Sequence, residues 1–195
     1  MRFVRQLMST CFMMLALGSA GGSSSWSAAL EQRLPTCLAC HGENGTSVNP
    51  DVPSLGGQAA PYMEIQLYLF REGMRPVEVM NEAMKGIGDD ELSKLAGLLS
   101  ALPPPTPTDP SDPARMQHAG ALVHQHRCDF CHNSDLSGRE NVPRIAGQRE
   151  DYLVKTMREY KSNTRPGYDA SMADVVQPLT DDDIRELAYY AAHQP

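Results

Sequence analysis

Apolar residues recur along this chain every three or four positions, and no alternating run competes with them. Tyr62, Ile65, Gln66 and Leu69 share one face of a segment that opens at Pro61, a residue suited to a first helical turn, and stops at Gly73. Tyr152, Leu153, Thr156, Met157 and Tyr160 repeat that layout later in the chain. Two further segments open on Asp89-Asp90-Glu91 and Asp181-Asp182-Asp183, carboxylates that suit the positive end of a helix. Leu92, Leu95, Ala96, Leu98 and Leu99 form the apolar face of the first; Ile184, Leu187, Ala188 and Ala191 form that of the second. Shorter helices are expected from about Ala28 and about Ala114. The pattern predicts an all-helical protein.

The helices come in two sets because the sequence is duplicated. Val52-Pro53-Ser54-Leu55-Gly56-Gly57-Gln58 is echoed by Val142-Pro143-Arg144-Ile145-Ala146-Gly147-Gln148; Tyr62 answers Tyr152, and Arg75-Pro76 answers Arg165-Pro166. Between the copies, residues 103–113 contain six prolines in eleven positions. Such a run excludes helix and favours an extended path of roughly 30 Å, at about 3.1 Å per residue. It divides residues 30–102 from residues 114–195. Residues 1–29 read as an export signal: Arg2 and Arg5 precede a short apolar stretch from Leu7 to Leu17, and Gly18-Ser19-Ala20 or Ser27-Ala28-Ala29 offers a cleavage site. The apolar stretch is too short to span a bilayer comfortably.

The duplication changes how the cysteines are read. Cys37-Leu38-Ala39-Cys40-His41 and Cys128-Asp129-Phe130-Cys131-His132 are two copies of Cys-x-x-Cys-His, the attachment signature of a c-type haem. Two thiols become thioethers on the macrocycle, and the adjacent imidazole lies where it can ligate iron. A zinc site would close its Cys and His ligands into one tetrahedron, which two separate motifs do not predict, and a thioredoxin-like pair usually accompanies a βαβ pattern that is missing here. Of five cysteines only Cys11 lies outside the motifs, within the export signal. The mature chain is therefore expected to carry neither disulfide nor free thiol. A haem in each unit would compensate for the small core that fewer than a hundred residues can bury. The formal charge of −7 argues against a nucleic-acid partner.

Together these residues resemble the diheme cytochromes of the cytochrome c4 type, over nearly all of residues 30–194. The resemblance is carried by Cys37 to Gly45, by Ile145-Ala146-Gly147-Gln148 and Tyr152-Leu153, and by Leu179 to Ile184 with Leu187-Ala188-Tyr189-Tyr190. It implies two tandem class I cytochrome c domains, each wrapped around one covalent haem held by Cys37 and Cys40 or by Cys128 and Cys131. His41 and His132 would be axial iron ligands, with the carbonyls of Pro53 and Pro143 accepting their Nδ1 hydrogen bonds. A methionine completes each iron: Met172 in the second domain and, by alignment, Met80 in the first, since each stands seven residues before the residue preceding the last helix segment, Ile87 or Leu179. Met84 and Met74 lie close enough to compete, but Met63, Met74 and Met157 read better as core filler. His118, His124, His126 and His193 read as surface residues. The implied function is periplasmic electron transfer without catalysis, between a dehydrogenase or cytochrome bc complex and a terminal oxidase. The plan is also that of the diheme subunit of flavocytochromes and leaves room for peripheral membrane association.

Two features depart from the pattern. In the second domain Gly120 and Tyr190 provide the glycine and aromatic residue through which opening and closing helices pack in such cytochromes, whereas Ala29 and Leu98 replace them in the first. Looser packing is expected there. Residues 30–102 also carry ten acidic and five basic side chains against twelve and ten in residues 114–195, so a basic partner would be steered to the first domain.

Overall fold

The computed structural model describes residues 24–165, 167 and 169–195. The proposed leader with Cys11 lies outside them, except that the first helix already begins at Ser24. Nine helices are found among the described residues: α1 (Ser24–His41), α2 (Ala60–Arg71), α3 (Glu78–Ala83), α4 (Asp89–Ser100), α5 (Pro113–Gln125), α6 (Cys128–His132), α7 (Glu150–Lys161), α8 (Ala170–Val176) and α9 (Asp181–Ala192). The expected class holds: the described backbone is helix and loop, with one isolated bridge between Arg139 and Val142.

The two copies build two cores. In the first, α2 lies against α4 around Met63, Leu67, Phe70, Met84, Ile87, Leu92, Leu95, Ala96 and Leu99. In the second, α9 packs on both α5 and α7 around Leu122, Leu136, Leu153, Val176, Leu179, Ile184, Leu187, Ala188 and Ala191. Helix starts follow their local chemistry. Thr180 caps α9 with a reciprocal capping box to Asp183, and the Asp112 carboxylate accepts from Ala114 N and Arg115 N at the start of α5.

Three expectations about burial need correction. On α2 the core takes Met63, Leu67 and Phe70, while Ile65 is 43% exposed; Tyr62, Gln66 and Leu69 are half-buried on another face. The spacing was helical, but it traced a face that includes the seam between the domains. Leu98 is 40% exposed, so it lies off the buried face of α4, and Met74 is 51% exposed, so it is not core filler. Among the described residues, contact between α1 and α4 is sparser than between α5 and α9, where a Cβ on Gly120 would lie 3.1 Å from the Tyr190 ring. The glycine is what lets that ring sit against the helix backbone.

The proline run is not a bare spacer. A Cβ on Gly56 would stand 2.0 Å from the Pro103 carbonyl oxygen, and one on Gly147, whose φ is +66°, would stand 2.3 Å from the Pro105 carbonyl oxygen. Pro105 is buried. The linker threads between the two Gly-Gln turns, one from each domain, and touches both.

Candidate haem sites

Each Cys-x-x-Cys-His motif is helical, but the approach differs between copies. In the first, α1 runs without interruption through Pro35 into the motif and ends at His41. In the second, α5 ends at Gln125, Arg127 adopts φ 58°, and the short α6 carries the motif alone. Both histidines are buried, and both are held the same way: His41 Nδ1 lies 2.8 Å from Pro53 O and His132 Nδ1 lies 2.8 Å from Pro143 O. A carbonyl can only accept, so Nδ1 carries the proton and Nε2 keeps its lone pair. Burial lowers both imidazole pKa values, against a smaller opposing pull from the proline carbonyls. The rings are thus neutral near pH 7 and have one nitrogen available to a metal.

The thiols do not resemble a redox pair. Burial pushes the Cys128 thiol up to about 11, helped by the nearby Asp129 carboxylate, and raises Cys37 as well. Disulfide exchange needs the opposite, a thiol depressed toward thiolate. Among the described residues no three His, Cys, Asp or Glu side chains converge as a metal cage would require.

The methionines separate by burial. Met84 is only 2% exposed and belongs to the first core, where it fills the position that Val176 fills in the second. Met80 and Met172 are half-buried and lean on the edges of their cores. Met157 likewise packs on its core as filler. Of the histidines read as surface residues, His124 is exposed and pairs with Asp129 at 2.5 Å. Two others differ: His193 is half-buried against the Tyr189 ring, 4.0 Å between centroids, and His126 Nε2 is buried without a partner among the described residues.

The seam between the domains collects what sequence reasoning left unassigned. Arg75 is buried, donates to Gln66 Oε1 at 2.7 Å, and reaches Tyr152 Oη of the other domain at 3.4 Å. Arg165 donates to the same hydroxyl at 3.3 Å and pairs with Glu159 at 2.8 Å. Burial raises the Tyr62 phenol to about 12, with Tyr152 adding to the effect. Burial would raise Tyr152 too, but the guanidinium groups of Arg165 and Arg75 outweigh it and lower that phenol. Gln58 and Gln148 also cross the seam: Gln148 Oε1 accepts from Ser54 N at 2.8 Å, and Gln58 Oε1 accepts from Arg144 N at 2.6 Å. These partners are 94 and 86 residues apart. The one signal available beforehand was that the repeated stretch keeps its Gly-Gln ending in both copies, at Gly57-Gln58 and Gly147-Gln148.

A cytochrome c family model matches residues 28–102. Cytochrome c-554(548) of Halomonas halodenitrificans is 34% identical over 77 residues, which are 38% of this chain and 93% of that protein. The chain belongs to the cytochrome c family. A cytochrome c4 structure from Acidithiobacillus ferrooxidans superimposes with a TM-score of 0.71 at 26% identity, covering 82% of this cytochrome and 99% of that chain. The thiosulfate dehydrogenase electron acceptor of Thiomonas intermedia is 29% identical across 88% of this cytochrome and 84% of its own length. The fold is therefore two tandem cytochrome c domains of the c4 type, and the cofactors are two covalent haem c groups, one for each domain. The residues present fit them. Free thiols stand beside a metal-competent imidazole in both motifs, and the buried Arg75 Nε has no acceptor among the described residues, as a donor awaiting a haem carboxylate would.

Proposed function

We propose that this diheme cytochrome is an electron carrier of the periplasm, with a leader over residues 1–29, domains over 30–102 and 114–195, and the linker over 103–113. Cys37 and Cys40 hold the first haem and Cys128 and Cys131 the second; His41 with Met80, and His132 with Met172, are the axial ligands. The haem supplies the one-electron ferric and ferrous couple when bound. The protein's part is to keep its ligands still. The Pro53 and Pro143 carbonyls hold the imidazole rings by their Nδ1 protons, which fixes the tautomer and raises the basicity of Nε2. Half-buried Met80 and Met172, on the short helices α3 and α8, bring soft sulfur ligands that favour ferrous iron.

The observation that carries this reading is the duplicate motif with the same histidine-to-carbonyl contact in both copies. Cleavage after Ala29 would leave α1 beginning at Leu30, a buried residue that the first core needs. No helix among the described residues is long and apolar enough to cross a membrane. A second reading, an electron-accepting partner of a dehydrogenase, is favoured by the likeness to the Thiomonas intermedia protein over most of both chains. Donors and acceptors in either case are redox proteins: a dehydrogenase or cytochrome bc complex on one side, a terminal oxidase on the other. The deciding experiment is intact mass spectrometry of the exported protein after acid-acetone extraction. Two haems should remain on the polypeptide; one haem, or an unprocessed apoprotein in the cytoplasm, would refute the assignment. Rapid reduction by a thiosulfate dehydrogenase, but not by the bc complex, would select the second reading.

A further inference from the structure

The peptide groups that orient the two histidines are shared with the opposite domain. Pro53 O accepts from His41 Nδ1, and the N–H of the same peptide unit, on Ser54, donates to Gln148 Oε1. The second domain repeats this with Pro143 O, His132 Nδ1, Arg144 N and Gln58 Oε1. Each glutamine also closes the pairing with its amide: Gln148 Nε2 donates to Ser54 O at 2.9 Å, and Gln58 Nε2 donates to Arg144 O at 3.0 Å. The oxygens are held from their own side too, by Arg149 N and Ala59 N. Both glutamine side chains are buried, so water competes poorly for these groups.

An amide whose N–H is engaged becomes a better acceptor at its carbonyl, because chains of hydrogen bonds polarise one another in a low-dielectric surrounding. A stronger acceptor at Nδ1–H gives the imidazole more anionic character and makes Nε2 a stronger donor to iron. A stronger donor favours ferric iron. We propose that Gln58 and Gln148 are positioning residues that each lower the reduction potential of the haem in the opposite domain. The coupling rests on the assignment of His41 and His132 as iron ligands. Its signature is crossed, since neither glutamine bonds to the peptide that holds its own domain's histidine.

The test uses the haem-loaded protein and reads potentials, not turnover. Each haem is followed through a redox titration by its hyperfine-shifted proton resonances, assigned through contacts with residues of its own domain. Gln148→Leu removes the acceptor and should raise the potential of the His41 haem by about 28 mV, a threefold change in its reduction equilibrium at 59 mV per decade. The His132 haem should move much less. Gln58→Leu should give the mirror result. Gln148→Glu keeps an oxygen acceptor and adds charge, so it should lower the His41 haem's potential, whereas loosening of the seam would move the Leu and Glu variants the same way. Equal shifts of both haems, a larger shift in the variant's own domain, or shifts of one sign in the Leu and Glu variants would overturn the proposal. Hyperfine-shifted imidazole protons from residues other than His41 and His132 in the unmodified protein would instead remove the ligand assignment, before any variant is compared.

Discussion

Truncating Met84 and Met80 separately should split stability from ligation in the first domain. Met84 is 2% exposed and among the largest fully buried side chains, so Met84→Ala removes three heavy atoms from a closed core. Truncations of this kind cost about 2–5 kcal/mol, transfer and cavity terms together. For a unit of this size each kcal/mol lowers the midpoint by roughly 4–8 °C, so a loss of about 3 kcal/mol means a drop of roughly 12–24 °C. Met80 is half-buried at the core's edge, and its packing contributes only about 1 kcal/mol. Yet Met80→Ala should abolish the sulfur-to-iron charge-transfer absorption of the first haem, because the thioether is the proposed ligand. Met84→Ala should keep that absorption at temperatures below its lowered midpoint. Visible spectra of the ferric variants, with thermal melts on the same samples, measure both quantities. Loss of the first haem's band in Met84→Ala, with the band intact in Met80→Ala, would refute the reasoning and shift the ligand by one helical turn.

The same structure makes three shorter predictions. Both irons should stay six-coordinate, so the reduced protein should bind carbon monoxide poorly near neutral pH while Met172→Ala opens the second haem; rapid stoichiometric binding to the unmodified protein would contradict a simple carrier. Asp183→Asn should weaken the start of α9 by about 1 kcal/mol near neutral pH. Hydrogen bonds from the Thr180 side chain and backbone lower the Asp183 carboxyl's pKa, so its contribution is present above the ordinary carboxylate range and fades as pH falls through the lowered value; denaturant midpoints of the two proteins should converge in acid. Gly147→Ala should cost about 2–5 kcal/mol, from left-handed strain plus the clash with Pro105 O, whereas Gly73→Ala, at φ +68° with open space around it, should cost only about 1–2 kcal/mol. Equal losses in the two variants would mean that the linker does not press on the Gly-Gln turn.

What the sequence determined by itself was local or repeated. The haem motifs, the acidic starts of α4 and α9, the helical period and the duplication all sit in stretches of a few residues, where side-chain type and spacing state the chemistry directly. Helical spacing could say that Tyr62, Gln66 and Leu69 share a face, but not that the core lies elsewhere, against Met63, Leu67 and Phe70. A two-faced helix presents two candidate stripes, and only its neighbours choose between them. Met80 and Met84 are the same residue type one turn apart, and the repeat alignment alone favoured Met80; the structure adds that Met84 is buried in the first core while Met80 sits at its edge. The glutamine contacts were least legible, because their partners are backbone groups 94 and 86 residues away, and every residue type but proline offers the same backbone N–H and C=O. Tertiary structure alone decided which peptide each glutamine would meet, by folding the two copies so that the turn after each motif histidine faces the glutamine of the other.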